Sequence, residues 1–244
     1  SYSKKKVKFE KGLAEAEQIA DLSVDKQAFW VPRIRKIADW FFNQMESRYK
    51  ELNHTYPEVW GNIIFNRPGG DFELYGKVDR IDLINNSDEN SKKEAHLIDY
   101  KTGYAPSNKE VLAGYAPQLP LEGILIQEGH FDEFEQTSIS EVSKMEYWKV
   151  NGKDSGGTIS QIKNDKREIV STQELIDKAK SRLTETIDAF DNAEIPYLPT
   201  PNLAHVQRFN DYEHLERFKE WSVQDDETNS EIETEISENS NENA

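Results

Sequence analysis

At 244 residues the chain is long enough to bury a sizeable core, and it contains no cysteine. The lack of cysteine excludes disulfides, zinc–thiolate sites and iron–sulfur clusters held by this chain. The net charge of −16 argues against a broad nucleic-acid-binding surface. Eight acids and no base lie between residues 224 and 244, and the rest of the chain still carries a charge of −8. Contact with nucleic acid would therefore need a local basic channel, a metal or a partner.

Two helices and three strands are predicted in the first hundred residues. Apolar side chains at three- and four-residue steps predict helices over residues 7–22 and 25–52, with Pro32 in the first turn of the second helix. Alternating side chains then predict strands over residues 56–66, 72–84 and 94–101. Short turns and a polar loop join these strands, so we expect an antiparallel meander.

Helices and a further strand are predicted in the second half of the chain. In chain order they are a helical turn at 111–115, a helix at 118–128, a strand at 138–150, a glycine-rich hairpin loop or flap at 151–165, and helices at 172–192 and 211–222. Residues 224–244 are poor in apolar side chains and carry charge of one sign, so we expect them to be disordered.

Two acids and a lysine lie on adjacent predicted strands. Asp99 and Lys101 are two residues apart, so they point to the same face, and Asp79 lies on the preceding strand. Hydrolysis of a phosphodiester needs charge neutralisation and an activated water, which divalent ions with oxygen ligands supply. The pattern therefore indicates a metal-dependent nuclease. Asp79, Asp99 and the backbone carbonyl of Tyr100 would bind Mg²⁺ or Mn²⁺, and Lys101 would orient water or stabilise negative charge.

A second acid on the same strand, Asp82, competes with Asp79 for this role. The two are three residues apart, so they point to opposite faces of a regular strand. We assign Asp79 to the site, and Asp82 to supporting it or to an ion pair with Arg80 or a neighbour; a bulge would invert the choice. An acid and a lysine on a strand are most often a solvated pair, but these strands are otherwise apolar, where a charge is costly without a partner.

The pattern becomes specific when three ordered segments are read together: GKVDRID at 76–82, IDYKTG at 98–103 and QLPLE at 118–122. With FWVPR at 29–33 and DYEHLERFKEW at 211–221, they resemble the RecB-type branch of the PD-(D/E)XK nucleases. Within that branch, the segments resemble most closely the C-terminal nuclease domain of AddB, a subunit of bacterial helicase–nucleases. The resemblance implies an α/β (α+β) restriction-endonuclease-like core, with a central mixed sheet and an antiparallel meander flanked by helices.

The resemblance covers residues 10–223 and implies a domain organisation. We expect a nuclease domain at 1–223, followed by the acidic tail at 224–244. The parts of this domain are N-terminal helices at 7–52, a catalytic core at 54–150 and C-terminal helices at 171–222.

The resemblance also implies roles for individual residues. Asp79 and Asp99 would ligate metal, Lys101 would be the catalytic lysine, and Gln118 would match the glutamine of a Q-x-x-x-Y helix motif that holds the site or the DNA. Residue 122 is a glutamate where that motif has tyrosine. Some relatives hold an iron–sulfur cluster on four cysteines, which this chain cannot do.

One part of the family's metal site has no clear counterpart in the sequence. Relatives carry an upstream helix with a His or Glu that completes the site. Glu58 is the best local substitute; otherwise an N-terminal segment outside this chain, or a partner, supplies the ligand.

The function expected from these residues is an Mg²⁺-dependent deoxyribonuclease, acting as an exonuclease on DNA ends in double-strand break repair or recombination. Candidate DNA contacts are Tyr104, Lys109, Lys77 and Arg80, although the last two can instead pair with acids. A helicase subunit is a candidate partner. The alternative is a catalytically incomplete module with a structural or DNA-guiding role. No apolar run approaches a membrane span and the first residues do not resemble a signal peptide, so we expect a cytoplasmic protein without membrane contact.

Overall fold

The structure is a computed structural model that describes residues 7–9, 11–12, 15, 24–85, 93–134, 139–153 and 155–195. The predicted helix at 211–222 and the acidic tail lie outside these residues. The chain divides into two compact units, Ser1–Asp188 and Ala189–Ala244. Within the second unit the described residues, 189–195, form the end of a helix and a turn.

The helices and strands of the described residues form a mixed α/β structure. In chain order they are α1 (Val24–Arg48), β1 (Leu52–Phe65), β2 (Phe72–Ile84), β3 (Lys93–Lys101), α2 (Asn108–Ala113), α3 (Gln118–Glu128), β4 (His130–Phe131), β5 (Ile139–Val150), β6 (Gly157–Gln161) and α4 (Thr172–Phe190). One six-stranded sheet has the order β4-β1-β2-β3-β5-β6. The strands β3 and β5 are parallel and the other neighbours are antiparallel. This confirms the predicted fold class, a central mixed sheet with an antiparallel meander flanked by helices.

The parallel pairing of β3 with β5 determines where α3 lies. Parallel neighbours need a crossover connection, and α2 and α3 occupy it here. The apolar side chains Leu119, Ile124 and Leu125 of α3 are buried in the core. The crossover therefore brings the N-terminus of α3 to the carboxyl end of β3, where the Lys101 side chain contacts Gln118.

Several predicted positions are wrong. Pro32 lies inside α1 and not in its first turn, and the helical turn predicted at 111–115 is α2, Asn108–Ala113. The α1 helix ends at Arg48, before the predicted residue 52, and β1 begins at Leu52, before the predicted residue 56, because Leu52 pairs with Ile84. The predicted loop at 151–165 contains β6, which pairs with β5.

A glycine in the predicted loop at 151–165 allows close backbone packing against α1. Gly156 has a φ of +75°, and a Cβ there would lie 2.3 Å from the carbonyl oxygen of Lys36. Glycine therefore allows the turn before β6 to approach the backbone of α1 closely.

No helix within the described ranges has both the length and the apolar character needed to cross a membrane.

Candidate active site

The backbone ladder between β2 and β3 stops at the two acids. Its last pair is Arg80 opposite Ile98. Beyond it, the backbone N–H of Tyr100 donates a hydrogen bond to Asp79 Oδ2 at 2.9 Å. A side-chain carboxylate thus continues the pairing of the strands, and it places Asp79 at the end of the ladder beside Asp99.

Asp99 and Lys101 form a close ion pair on one face of β3, as their spacing predicts. The Asp99 side chain is fully buried, and its Oδ1 accepts a hydrogen bond from Lys101 Nζ at 2.9 Å. Its Oδ2 lies 2.8 Å from the same ammonium but has no hydrogen-bond partner among the described residues. Burial raises the pKa of Asp99, Lys101 lowers it, and the nearby charge of Asp79 raises it further.

Gln118 links this ion pair to a buried acid on α3. The Lys101 ammonium also donates to Gln118 Oε1 at 2.9 Å, and Gln118 Nε2 donates to Glu122 Oε1 at 3.1 Å. Glu122 is only 5% exposed. Burial raises its pKa to about 8, and the charges of Asp99 and Asp79 act in the same direction.

Tyr147 is a sixth polar residue of this region, and sequence reasoning missed it. It lies on β5 directly opposite Asp99 and is 2% exposed. Burial raises the pKa of its hydroxyl, and the charges of Asp99 and Glu122 raise it further. The alternation of side chains along β5 does not tell which face of the sheet Tyr147 lies on. Only the parallel register with β3 shows that it lies opposite Asp99.

Two buried oxygens near Asp99 have no hydrogen-bond partner in the described part of the chain, Glu122 Oε2 and Tyr147 Oη, whereas Asp99 Oδ2 faces the Lys101 ammonium at 2.8 Å. Buried polar atoms in folded proteins are nearly always hydrogen-bonded to protein or water. Their concentration here indicates a region that receives a water, an ion or a substrate group.

A second polar network joins Tyr100 to the ion pair between Arg80 and Asp82. The Arg80 guanidinium donates two 2.7 Å hydrogen bonds to the Asp82 carboxylate and a third to the Tyr100 hydroxyl at 3.0 Å. Thr55 donates to Asp82 as well, at 2.8 Å. Arg80 is 4% exposed, so of the two roles that the sequence left open for it, pairing with an acid is the one observed. The network fixes the side chain of Tyr100, the residue between Asp99 and Lys101.

Glu58 lies on β1 between Pro57, which is opposite Arg80, and Val59, which is opposite Val78, and it has a φ of 54°. Its side chain is 71% exposed and binds Lys77 Nζ at 2.7 Å. The structure therefore pairs these two candidates with each other. No group of three or more His, Asp or Glu side chains within the described ranges is arranged to hold a metal.

The remaining candidate DNA contacts lie after β3. Tyr104 is 68% exposed, and its hydroxyl donates to the Glu110 carboxylate. Lys109 is exposed on α2. A DNA-contacting role for either residue stays a prediction.

Residues 5–205 match the family model of the PD-(D/E)XK nuclease superfamily. An uncharacterized protein of Rickettsia bellii (strain RML369-C) is 25% identical over 195 residues, which cover 76% of this chain and 22% of that protein. An uncharacterized protein of Rickettsia felis is 32% identical over 85 residues, which cover 35% of this chain and 9% of that protein. The chain thus spans about a fifth or less of the length of these relatives. The crystal structure of SSO0001 aligns with 78% of this chain and 72% of that chain, at 16% identity and a TM-score of 0.32.

Proposed function

Because the chain belongs to the PD-(D/E)XK nuclease superfamily, whose members generally hydrolyse phosphodiester bonds, we propose that it is a metal-dependent DNA nuclease. The observation that carries this proposal is the buried Asp99, paired with Lys101 and lying beside the carboxylate of Asp79. Two acids and a lysine at the end of one strand pair offer both oxygen ligands and a positive charge for a phosphate.

The donor atoms suit Mg²⁺ or Mn²⁺. Asp79, Asp99 and the backbone carbonyl of Tyr100 are hard oxygen ligands. Both oxygens of Asp99 face the Lys101 ammonium, at 2.9 and 2.8 Å. When bound, such an ion supplies charge neutralisation at the phosphate and makes water more acidic.

The protein's own residues would complete the chemistry. Lys101 is 24% exposed, so its ammonium is accessible to a phosphoryl oxygen or to an attacking water. Gln118 and Asp99 hold that ammonium in place with two hydrogen bonds of 2.9 Å. A fixed donor at the reacting phosphate stabilises the charge that develops there.

The finer features of this proposal rest on the resemblance to the AddB nuclease domain. They are exonuclease action on DNA ends, a role in double-strand break repair and cooperation with a helicase subunit. A second candidate function is a nuclease fold that guides DNA without cutting it. The lack of a three-residue ligand group among the described residues favours that alternative.

Cleavage assays with defined DNA substrates test the proposal. Linear and circular DNA, single- and double-stranded, would be incubated with the purified chain and Mg²⁺, Mn²⁺ or EDTA. We expect metal-dependent loss of linear DNA and persistence of circular DNA, which would indicate an exonuclease.

Variants assign the activity to the site. Asp99→Ala and Lys101→Ala should each lower cleavage by about 100-fold or more. Lys178→Ala, a substitution of the same kind on the exposed face of α4, should leave cleavage unchanged. No metal-dependent cleavage, or cleavage unaffected by both site variants, would contradict the proposal.

A further inference from the structure

The amide of Gln118 has two chemically different ends, and only one of them can accept a hydrogen bond from Lys101. An ammonium group has donors and no acceptor, whereas an amide has a carbonyl acceptor and an amino donor. The carbonyl oxygen faces Lys101 at 2.9 Å. Rotation of the amide by half a turn would place its amino group against the ammonium, and the hydrogen bond would be lost.

Glu122 holds the other end of the same amide, in the orientation that the Lys101 ammonium also requires. It lies four residues after Gln118, so both side chains project from the same face of α3. Its Oε1 is 3.1 Å from Gln118 Nε2 and accepts from it. An ionised carboxylate accepts through both oxygens, and a neutral carboxyl group still accepts through the oxygen that carries no proton. With the proton on Oε2, Oε1 therefore accepts from Gln118 in either charge state.

Stability does not explain an acid at this position. Glu122 is 5% exposed and lies in α3 among the buried residues Leu119, Gly123 and Ile126. Burial of a carboxyl group is unfavourable unless its polar atoms are satisfied. Glu122 Oε2 has no partner in the described part of the chain, and the one hydrogen bond that the residue makes there is with Gln118.

We propose that Glu122 is a positioning residue, which fixes the Gln118 amide so that its carbonyl oxygen holds the Lys101 ammonium at the reacting phosphate. The proposal rests on the proposed nuclease function for its effect on rate. It concerns a position where this chain departs from the tyrosine of the family motif.

Steady-state kinetics of four variants test the proposal: Glu122→Leu, Glu122→Gln, Gln118→Leu and the double variant Gln118→Leu/Glu122→Leu. Glu122→Leu removes the acceptor and should lower kcat about 10- to 100-fold with KM unchanged. Glu122→Gln retains an acceptor of the same shape and should stay within about threefold of the parent. In the Gln118→Leu background, Glu122→Leu should have no further effect, since the two residues act in series.

Two further variants complete the set, one as a control and one as a replacement for Glu122→Leu. Glu128→Leu makes the same change on the same helix, at a half-exposed residue paired with Lys180, and should not alter kcat. If Glu122→Leu does not fold, Glu122→Met provides the same test with an unbranched side chain.

The side-chain amide of Gln118 gives a readout that does not need activity. In ¹⁵N–¹H spectra of the metal-free protein, its signals are assigned by their absence in Gln118→Leu. We expect one hydrogen-bonded, slowly exchanging amide proton in the parent and in Glu122→Gln, and its loss in Glu122→Leu.

The two proposals fail in different ways. An unchanged amide signal in Glu122→Leu, additive effects in the double variant, or equal losses in Glu122→Gln and Glu122→Leu would overturn the role of Glu122. Absence of any cleavage by the parent would instead contradict the nuclease function, and the amide signal would still decide whether Glu122 orients Gln118.

Discussion

The Lys101 ammonium holds together residues from two separate elements. It binds Asp99 from its own strand and Gln118 from α3, each at 2.9 Å. The contact with Asp99 forms within β3, whereas the contact with Gln118 can form only where β3 and the N-terminus of α3 meet, so that hydrogen bond depends on the crossover geometry. The side chain stays partly exposed at 24%, which leaves room for a substrate group.

The stability of the protein should depend on pH through Glu122. Its pKa is raised from 4.5 to about 8 in the folded state, so between these values the folded protein binds more protons than the unfolded chain. Stability contributed by this proton is therefore full below pH 4.5 and is lost as the pH rises toward 8. The loss is at most about 1.4 kcal/mol for each pH unit.

Glu122→Gln removes this dependence. We expect the free energy of unfolding of the variant, relative to the parent, to increase between pH 5 and pH 8, as measured by urea denaturation at each pH. Glu133→Gln, an equivalent change at an exposed loop residue, is the control. A difference that stays constant, or that shrinks as the pH rises, would contradict the raised pKa.

Residue spacing predicted part of the site and left part of it out. Local periodicity predicted the strands β2 and β3 and so the candidates Asp79, Asp99 and Lys101, whereas Gln118 was assigned from the resemblance to the family; tertiary contacts bring them together. Tyr147 could not be assigned, since its place depends on the long-range register between β3 and β5. Glu58 was the best available substitute for the missing ligand, but its exposed carboxylate binds Lys77.

At the level of elements, α3 is confined between the sheet and α4. A Cβ on Gly123 would lie 2.5 Å from Met145 Cε and 2.7 Å from Ile176 Cγ1. The absence of a side chain therefore lets the helix lie close to both β5 and α4. This close packing fixes the helix that carries Gln118 and Glu122.

Gly123→Ala should destabilise the protein. Overpacking of a core costs about 1–3 kcal/mol, more than the gain of up to about 1 kcal/mol from replacing a glycine in a helix. We expect a lower urea midpoint and, because α3 shifts, lower cleavage. Gly103→Ala is the matched control, since nothing lies within 4 Å of the added Cβ. A Gly123→Ala variant as stable as the parent would show that Met145 and Ile176 yield easily.

Local patterns predicted an element well where its own sequence determines its secondary structure, and less well where pairing with a distant segment determines it. The meander of β1, β2 and β3 and the helix α3 have clear periods. Leu52 was assigned to the end of a helix and residues 53–55 to no element, since only their pairing with the end of β2 makes them a strand. The strand β6 was predicted as part of a loop because of nearby glycines, which in the structure allow the chain to pack closely against α1.

At the scale of the whole molecule, an acidic chain is expected to bind an acidic polymer. The net charge is −16, and several cations near the site are already engaged: Lys77 with Glu58, Arg80 with Asp82, and Lys101 with Asp99. These pairs reduce the positive field available to phosphates. Affinity should therefore come from few direct phosphate contacts, and from the metal and the active-site residues.

This makes the salt dependence of DNA binding a sharp test. Proteins with 6–10 phosphate contacts lose roughly 10³- to 10⁵-fold in affinity between 50 and 200 mM salt, whereas about two contacts predict a loss of about tenfold. We expect the smaller value for this chain, measured by fluorescence anisotropy with labelled double-stranded DNA. EDTA prevents cleavage and removes the metal, so the slope then reports the phosphate contacts of the protein alone. A loss of a thousandfold or more would contradict it and would indicate a basic channel beyond the described residues. Lys109→Ala tests one exposed cation directly: if Lys109 contacts a phosphate, its removal should lower the magnitude of the slope by about one unit.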